Sequence, residues 1–183
     1  MRPVFFGIVI CVLLLGLACE PIETQLETKP SFVGRRDLII PVAGVKPDQL
    51  VDTFDDARSE GRVHDAIDIM APAGTAVLAA SDGKILKLYQ SDRGGTTIYQ
   101  LSPDEKTIYY YAHLERYADN LSEGSYVRQG DVIAYVGDTG NAGAGNYHLH
   151  FSISVVSDPK RYWEGTNINP YPLLHDNPTS SVR

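Results

Sequence analysis

The chain has 183 residues, with 16 Lys and Arg against 23 Asp and Glu, a formal net charge of -7 and 43% hydrophobic residues. One domain with short extensions accounts for that length, and the composition excludes a disordered chain, a collagen, a coiled coil and a multi-span membrane protein. No cluster of Lys and Arg marks a nucleic-acid footprint, so no nucleic-acid partner is expected.

The first residues differ from the rest. Arg2 is the sole charge before Glu20, and an apolar run extends from Val4 to Leu17. A basic start, a short apolar stretch and a small residue at its end predict an export signal over 1–18; an uncleaved anchor helix is the other reading, though a spanning helix needs about 20 apolar residues. Leu15-Gly16-Leu17-Ala18-Cys19 resembles a bacterial lipoprotein processing box, which makes Cys19 the expected lipidation site and mature N-terminus. Cys11 lies inside the apolar run, so an exported form has no intramolecular disulfide available. Residues 19–38 are polar and aperiodic beyond Cys19 and read as a tether; 39–174 read as one domain and 175–183 as a polar tail.

Within the domain, short β-rich runs alternate with Gly and Asp turns. A short helix is predicted over Asp48–Arg58. Strands are predicted at Thr75–Ala80, Gly83–Gln90, Thr96–Leu101, Thr107–Leu114, Ser125–Val127, Val132–Val136 and His148–Val156. Such spacing implies an all-β, mostly antiparallel sheet. Gly124–Val136 resembles the hairpins of biotinyl and lipoyl carrier domains. Those require a modifiable Lys at the turn, and 107–159 contains none, so the carrier reading is rejected.

Four of the five histidines stand in patterned contexts. In His148–Val155, strict alternation puts Leu149, Phe151, Ile153 and Val155 on one face and His148, His150, Ser152 and Ser154 on the other. The two imidazoles then share a face with Cα atoms roughly 6.6 Å apart. Taken alone, that segment is also compatible with two exposed strand histidines. In Thr107–Leu114, alternation places His113 with Tyr111 and Tyr109. His64 and Asp68, four apart, would lie roughly 13 Å apart on a flat strand. If both serve one site, the chain bends after His64 and Asp68 begins a strand. Two histidines and one carboxylate form a zinc set with a position left for water, although the ligand types alone also admit Fe, Co or Mn. The loop Gly137–Asn146 lacks phosphate-loop spacing and is expected to wall a groove. His175, in the polar terminus, is expected at the surface.

The combination of His64-x-x-x-Asp68, Ala71-Pro72-x-Gly74-Thr75, Tyr111-Ala112-His113-Leu114, Gly130-Asp131-Val132-Ile133, Val136–Gly140 and His148-Leu149-His150-Phe151 resembles the LytM/lysostaphin-type zinc metallopeptidases, peptidase family M23. The resemblance covers roughly Asp52–Leu174. It implies a barrel-sandwich-hybrid-type core with an open groove walled by loops. It further implies one zinc ion held by His64, Asp68 and His150, with His113 and His148 as the catalytic pair beside the reacting water. The implied reaction is hydrolysis of peptide cross-links in bacterial peptidoglycan, performed in the cell envelope by a protein held to a membrane through its lipid. Tyr109, Tyr111 and Tyr147 are expected to line the substrate groove. Ala66 and Tyr147 depart from the family pattern, where Gly and Pro are common. A second class is a non-cleaving or auto-inhibited peptidoglycan-binding module that regulates another hydrolase.

Overall fold

The computed structural model describes residues 38–58 and 61–176; the export signal, Cys19 and most of the tether fall outside them. Among the described residues nine strands make one sheet: β1 (Ile67–Met70), β2 (Ala76–Leu78), β3 (Gly83–Ser91), β4 (Gly95–Leu101), β5 (Thr107–Tyr117), β6 (Tyr126–Val127), β7 (Val132–Val136), β8 (His148–Val155) and β9 (Thr166–Ile168). The main path runs β1-β8-β5-β4-β3-β6, with β7 joined to β5, β2 to β7 and β9 to β8. Every pairing is antiparallel. The all-β expectation therefore holds, and the one α-helix among the described residues, α1 (Tyr171–His175), is a single short turn.

The helix expected over Asp48–Arg58 is absent. A 3-10 turn at Pro47–Gln49 ends in an extended Leu50. The backbone groups a helix would use are engaged elsewhere: Phe54 O accepts from Asp65 N, Asp56 O from His64 N, and Arg58 N donates to Arg62 O. The stretch is thereby committed to holding the loop that carries His64. Strand β9, whose three residues are all exposed, carries no apolar alternation that would reveal it. Leu38, placed at the end of the tether from sequence, is 6% exposed and belongs to the core.

One face of the sheet is apolar. Ile67 and Ile69 of β1, Tyr111 and Leu114 of β5, and Leu149, Phe151 and Ile153 of β8 are buried together with Ile85, Ile98 and Ile133. Full burial of each such aliphatic or aromatic side chain contributes about 1.5–3 kcal/mol, so this layer fixes the strand register. With Ile67 opposite Phe151 and Ile69 opposite Leu149, the intervening Asp68 and His150 face each other on the opposite side.

Strand β5 changes partner part-way along one edge. Thr107–Ala112 pairs with β8, and Leu114–Tyr117 pairs with β7. His113 stands at the changeover with φ of 60°, and the ladder to β4 shifts register at the same place. A positive φ in a non-glycine residue is uncommon and interrupts the alternation of faces. His113 N donates to Gly94 O at 2.8 Å, which holds the bulge to the turn between β3 and β4.

Candidate metal centre and active-site groove

Three side chains converge on one point. His64 Nε2 lies 2.9 Å from His150 Nδ1 and 3.0 Å from Asp68 Oδ1, and His150 Nδ1 lies 3.2 Å from that same oxygen. They come from three places in the sequence: the loop before β1, β1 itself and β8. The bend expected between His64 and Asp68 is present, at Asp65, whose φ is 57°.

The donor chemistry fits a metal. His64 Nδ1 lies 2.9 Å from the Thr53 carbonyl, which only accepts, so the proton sits on Nδ1 and Nε2 carries the lone pair. That lone pair faces the Asp68 carboxylate and a second imidazole nitrogen, an arrangement that a cation between them makes favourable. Arms of 2.0–2.1 Å in a tetrahedral zinc site separate ligand atoms by roughly 3.3–3.4 Å, and the spacings here are close to that. Burial works against the charge on Asp68, yet the imidazoles of His150 and His64 set against it hold its carboxyl well below the usual carboxylate range. Burial pushes His150 down, which keeps it neutral and able to donate a lone pair.

A supporting layer orients the three. Thr53 acts twice, its carbonyl on His64 and its hydroxyl accepting from Asp68 N at 3.1 Å. Arg58 Nη2 donates to Asp68 Oδ2 at 2.7 Å, leaving Oδ1 for the centre. Such partners around a metal site fix ring tautomers and carboxylate rotation. Thr53 and Arg58 carry no signal in the sequence, because nothing in a Thr or Arg 15 or 10 residues before Asp68 marks the contact.

His148 and His113 complete the group. Their ring centroids are 4.9 Å apart, and His113 lies 5.7 Å from His150. His148 Nδ1 donates to Asn146 O at 2.8 Å, and His113 Nδ1 to Thr139 O at 2.7 Å. Both imidazoles thus keep Nε2 as the basic nitrogen. Burial lowers the His113 imidazole to about 4, despite the Thr139 carbonyl, with His150 and His148 adding to the effect. All five residues line one cavity open to solvent, whose far wall includes Asn141, Ala142 and Asn146 of the Gly137–Asn146 loop.

The tyrosines are corrected by the structure. Tyr111 is fully buried on the apolar face, where its hydroxyl donates to Gln100 Oε1 at 2.6 Å and accepts from Ala80 N. Tyr109, 7% exposed, shares that face. Because His113 breaks the alternation, the tyrosine on its side of the sheet is Tyr110, which lines the cavity with its ring 6.1 Å from His150. Alternation at the start of β8 turns Tyr147 away from His148; it is 38% exposed and is not among the cavity's lining residues. Counting back from His150 through the pairing of Ala112 with it would have found Tyr110. His175 ends α1, stacked on Tyr171 and paired with Asp176, away from the site.

The family pattern described as Peptidase family M23 matches residues 62–170, more than half the chain. The chain belongs to peptidase family M23. Lysostaphin from Staphylococcus simulans is 35% identical over 115 residues, spanning 62% of this chain and 22% of lysostaphin. The L-Ala--D-Glu endopeptidase of Bacillus subtilis is 30% identical over 129 residues, 67% of this chain and 38% of that protein. The chain therefore spans well under half the length of either relative. Among solved structures, the antimicrobial peptidase lysostaphin from Staphylococcus simulans superposes with a TM-score of 0.59 at 28% identity, covering 73% of this chain and 52% of that one. The M23 catalytic fold, an open and nearly all-β antiparallel sheet, is common to them.

Proposed function

We propose that this protein is a zinc-dependent endopeptidase that hydrolyses peptide bonds in bacterial peptidoglycan. The observation that carries the reading is the meeting of His64, Asp68 and His150 within 3.2 Å, in a groove that His113 and His148 also line. Membership of the M23 family and likeness to two peptidases support it. His64, Asp68 and His150 would hold the zinc ion, whose contribution is Lewis-acid polarisation of water and of the peptide carbonyl.

The chain's own residues move the protons. With Nδ1–H tied to a carbonyl, His148 and His113 present Nε2 as acceptors, and one of them takes the proton of the attacking water. Burial keeps His113 neutral at pH 7, so it enters as an acceptor, and once protonated it is a strong acid toward the leaving amine. The partner imidazole steadies charge growing on the carbonyl oxygen. The backbone carbonyls of Asn146 and Thr139 hold both rings in the tautomer this needs. Tyr110, pushed up by burial, stays a neutral hydroxyl beside His150.

The lipoprotein-like box at Cys19 supports a lipid anchor in the cell envelope, with residues 20–37 as the tether. Mass spectrometry of the mature N-terminus tests this: acylated Cys19 is expected, and an intact Met1 would contradict it. The catalytic reading is tested by zinc content and amine release in single variants, as set out in the Discussion.

A further inference from the structure

The metal centre stands at one end of a line of aromatic rings. Tyr110 lines its cavity, with its ring 6.1 Å from His150. From Tyr110 the rings continue outward: Tyr99 at 4.7 Å, then Tyr162 at 4.8 Å from Tyr99, then Trp163 at 4.9 Å from Tyr162. Strand pairing keeps the first two on the groove face of the sheet, because Tyr99 stands opposite Tyr110 and Tyr110 opposite Ser152, two residues from His150 on β8. Leu101 and Ile108, two residues further along the same strands, form a small apolar cluster with Val156, and Tyr99 and Tyr162 pack against it.

The segment that carries Tyr162 and Trp163 is fixed at both ends. Asp158 caps the 3-10 turn Pro159–Arg161 by accepting from Lys160 N at 2.9 Å, and Glu164 N donates to Arg161 O at 2.9 Å. At Gly165 the backbone presses on β8, where a Cβ would come within 2.7 Å of Ser154 Cβ. Trp163, the chain's sole tryptophan, is nevertheless 62% exposed, so most of its indole meets solvent. A large aromatic side chain held in water on a fixed turn forgoes most of its burial in the fold and is available to a ligand instead. The charges along the line are matched within the protein: Arg161 with Glu164, and Lys87, which stands opposite Tyr99, with Glu123 at 2.9 Å.

We propose that this aromatic line is a sugar subsite: the glycan strand of the substrate stacks its pyranose rings on Trp163 and Tyr162, while the peptide it carries runs past Tyr99 and Tyr110 to the metal centre. The proposal rests on the endopeptidase reading, to which it adds recognition of glycan beside peptide. A pyranose shows C–H groups on its faces and hydroxyl groups on its rim. The face of an aromatic ring is the negative side of its quadrupole and receives those C–H groups, and the indole N–H donates to the rim. A neutral ligand suits a platform whose neighbouring charges are already paired; an anionic membrane surface would call for free cations beside the tryptophan. At about 3.3–3.6 Å per extended residue, a peptide of about six residues or fewer covers the line from His150 to Trp163, so a short stem joins the two sites.

As the sole tryptophan, Trp163 reports its own contact. The full-length, zinc-loaded protein is titrated with soluble glycan strands stripped of their stem peptides, with stem peptides alone, and with anionic phospholipid vesicles, and the emission of Trp163 is followed. Glycan strands are expected to shift the emission to the blue, to saturation. W163A, followed by calorimetry, should bind them at least tenfold more weakly, and W163F should recover part of that loss. On soluble cross-linked muropeptides, W163A should raise KM at least fivefold more with the disaccharides present than with them removed. No emission change with glycan, or a W163A protein that binds glycan as well as its parent, would overturn the proposal. So would a response confined to vesicles or to stem peptides, or equal KM changes on the two muropeptides. Glycan binding that depends on Trp163, in a protein that cleaves nothing, would sink the endopeptidase reading alone.

Discussion

His113 and His148 bring their rings within 4.9 Å of each other by opposite routes. His148 reaches the groove by keeping the regular alternation of β8. His113 reaches it by breaking the alternation of β5, with φ of 60° where that strand changes partner from β8 to β7. Each then ties Nδ1 to a backbone carbonyl. The pairing of a regular and an irregular strand position is what places two imidazoles beside one centre.

The metal ligands and the proton-transfer pair should separate on mutation. H150A and D68N are expected to lose zinc and turnover together. H148A should keep zinc near one equivalent and lose about 10²–10⁴ in turnover, the usual contribution of a positioned acid or base. Metal analysis beside an amine-release assay checks both; full turnover in H148A would remove it from the catalytic role.

Tyr111 should matter for stability and little for catalysis. Y111F removes the hydroxyl shared by Gln100 and Ala80 N, leaving buried polar groups unmet at a cost of about 1–3 kcal/mol. The urea midpoint should fall while kcat/KM on soluble peptides stays near its original value. An unchanged midpoint with a large loss of kcat/KM would restore Tyr111 to the groove.

What could be read from the sequence divides along a physical line. Leu149, Phe151, Ile153 and Val155 repeat every second residue, so the faces of β8, and with them His148 and His150, were legible. Boundaries of β7 were also legible, because Gly130 and Gly137 bracket Val132–Val136. Local patterns cannot report the φ of a single residue, so plain alternation groups His113 with Tyr109 and Tyr111 and leaves Tyr110 on the other face. The loop over 52–58 looked helical because its hydrogen bonds to 61–65 depend on a bend that no period encodes. Arg62 and Arg93 join one cavity only through tertiary structure.

The turn between β3 and β4 should tolerate no side chain where the groove wall touches it. Gly140, with φ of 70°, packs against Gly95 N and the Arg93 carbonyl, and a Cβ there would overlap both. G140A is expected to cost more than about 1 kcal/mol, from strain and overlap together, and to displace the loop that carries the Thr139 carbonyl. Thermal denaturation and turnover should both fall; a variant as stable and active as its parent would contradict this packing.

Acid should weaken the fold before carboxylates are protonated. The folded value of His113, about 4, lies below its ordinary 6.5. Between those values the unfolded chain binds the proton and the folded chain does not. The stabilisation is therefore complete above about pH 6.5 and is lost as pH falls toward 4; His150, also lowered by burial, acts in the same direction. Urea titrations of the chelator-treated protein at pH 7, 6, 5 and 4 should show a falling midpoint, shallower in H113N. A flat midpoint across that range would contradict the burial of neutral imidazoles.

The proposed reaction is a zinc-dependent cut in peptidoglycan. The direct measurement follows new free amino groups when the purified protein meets purified peptidoglycan, with and without a chelator, and again after zinc is restored. Release should stop with chelator and return with zinc. No release from a protein shown to carry one zinc ion would contradict it.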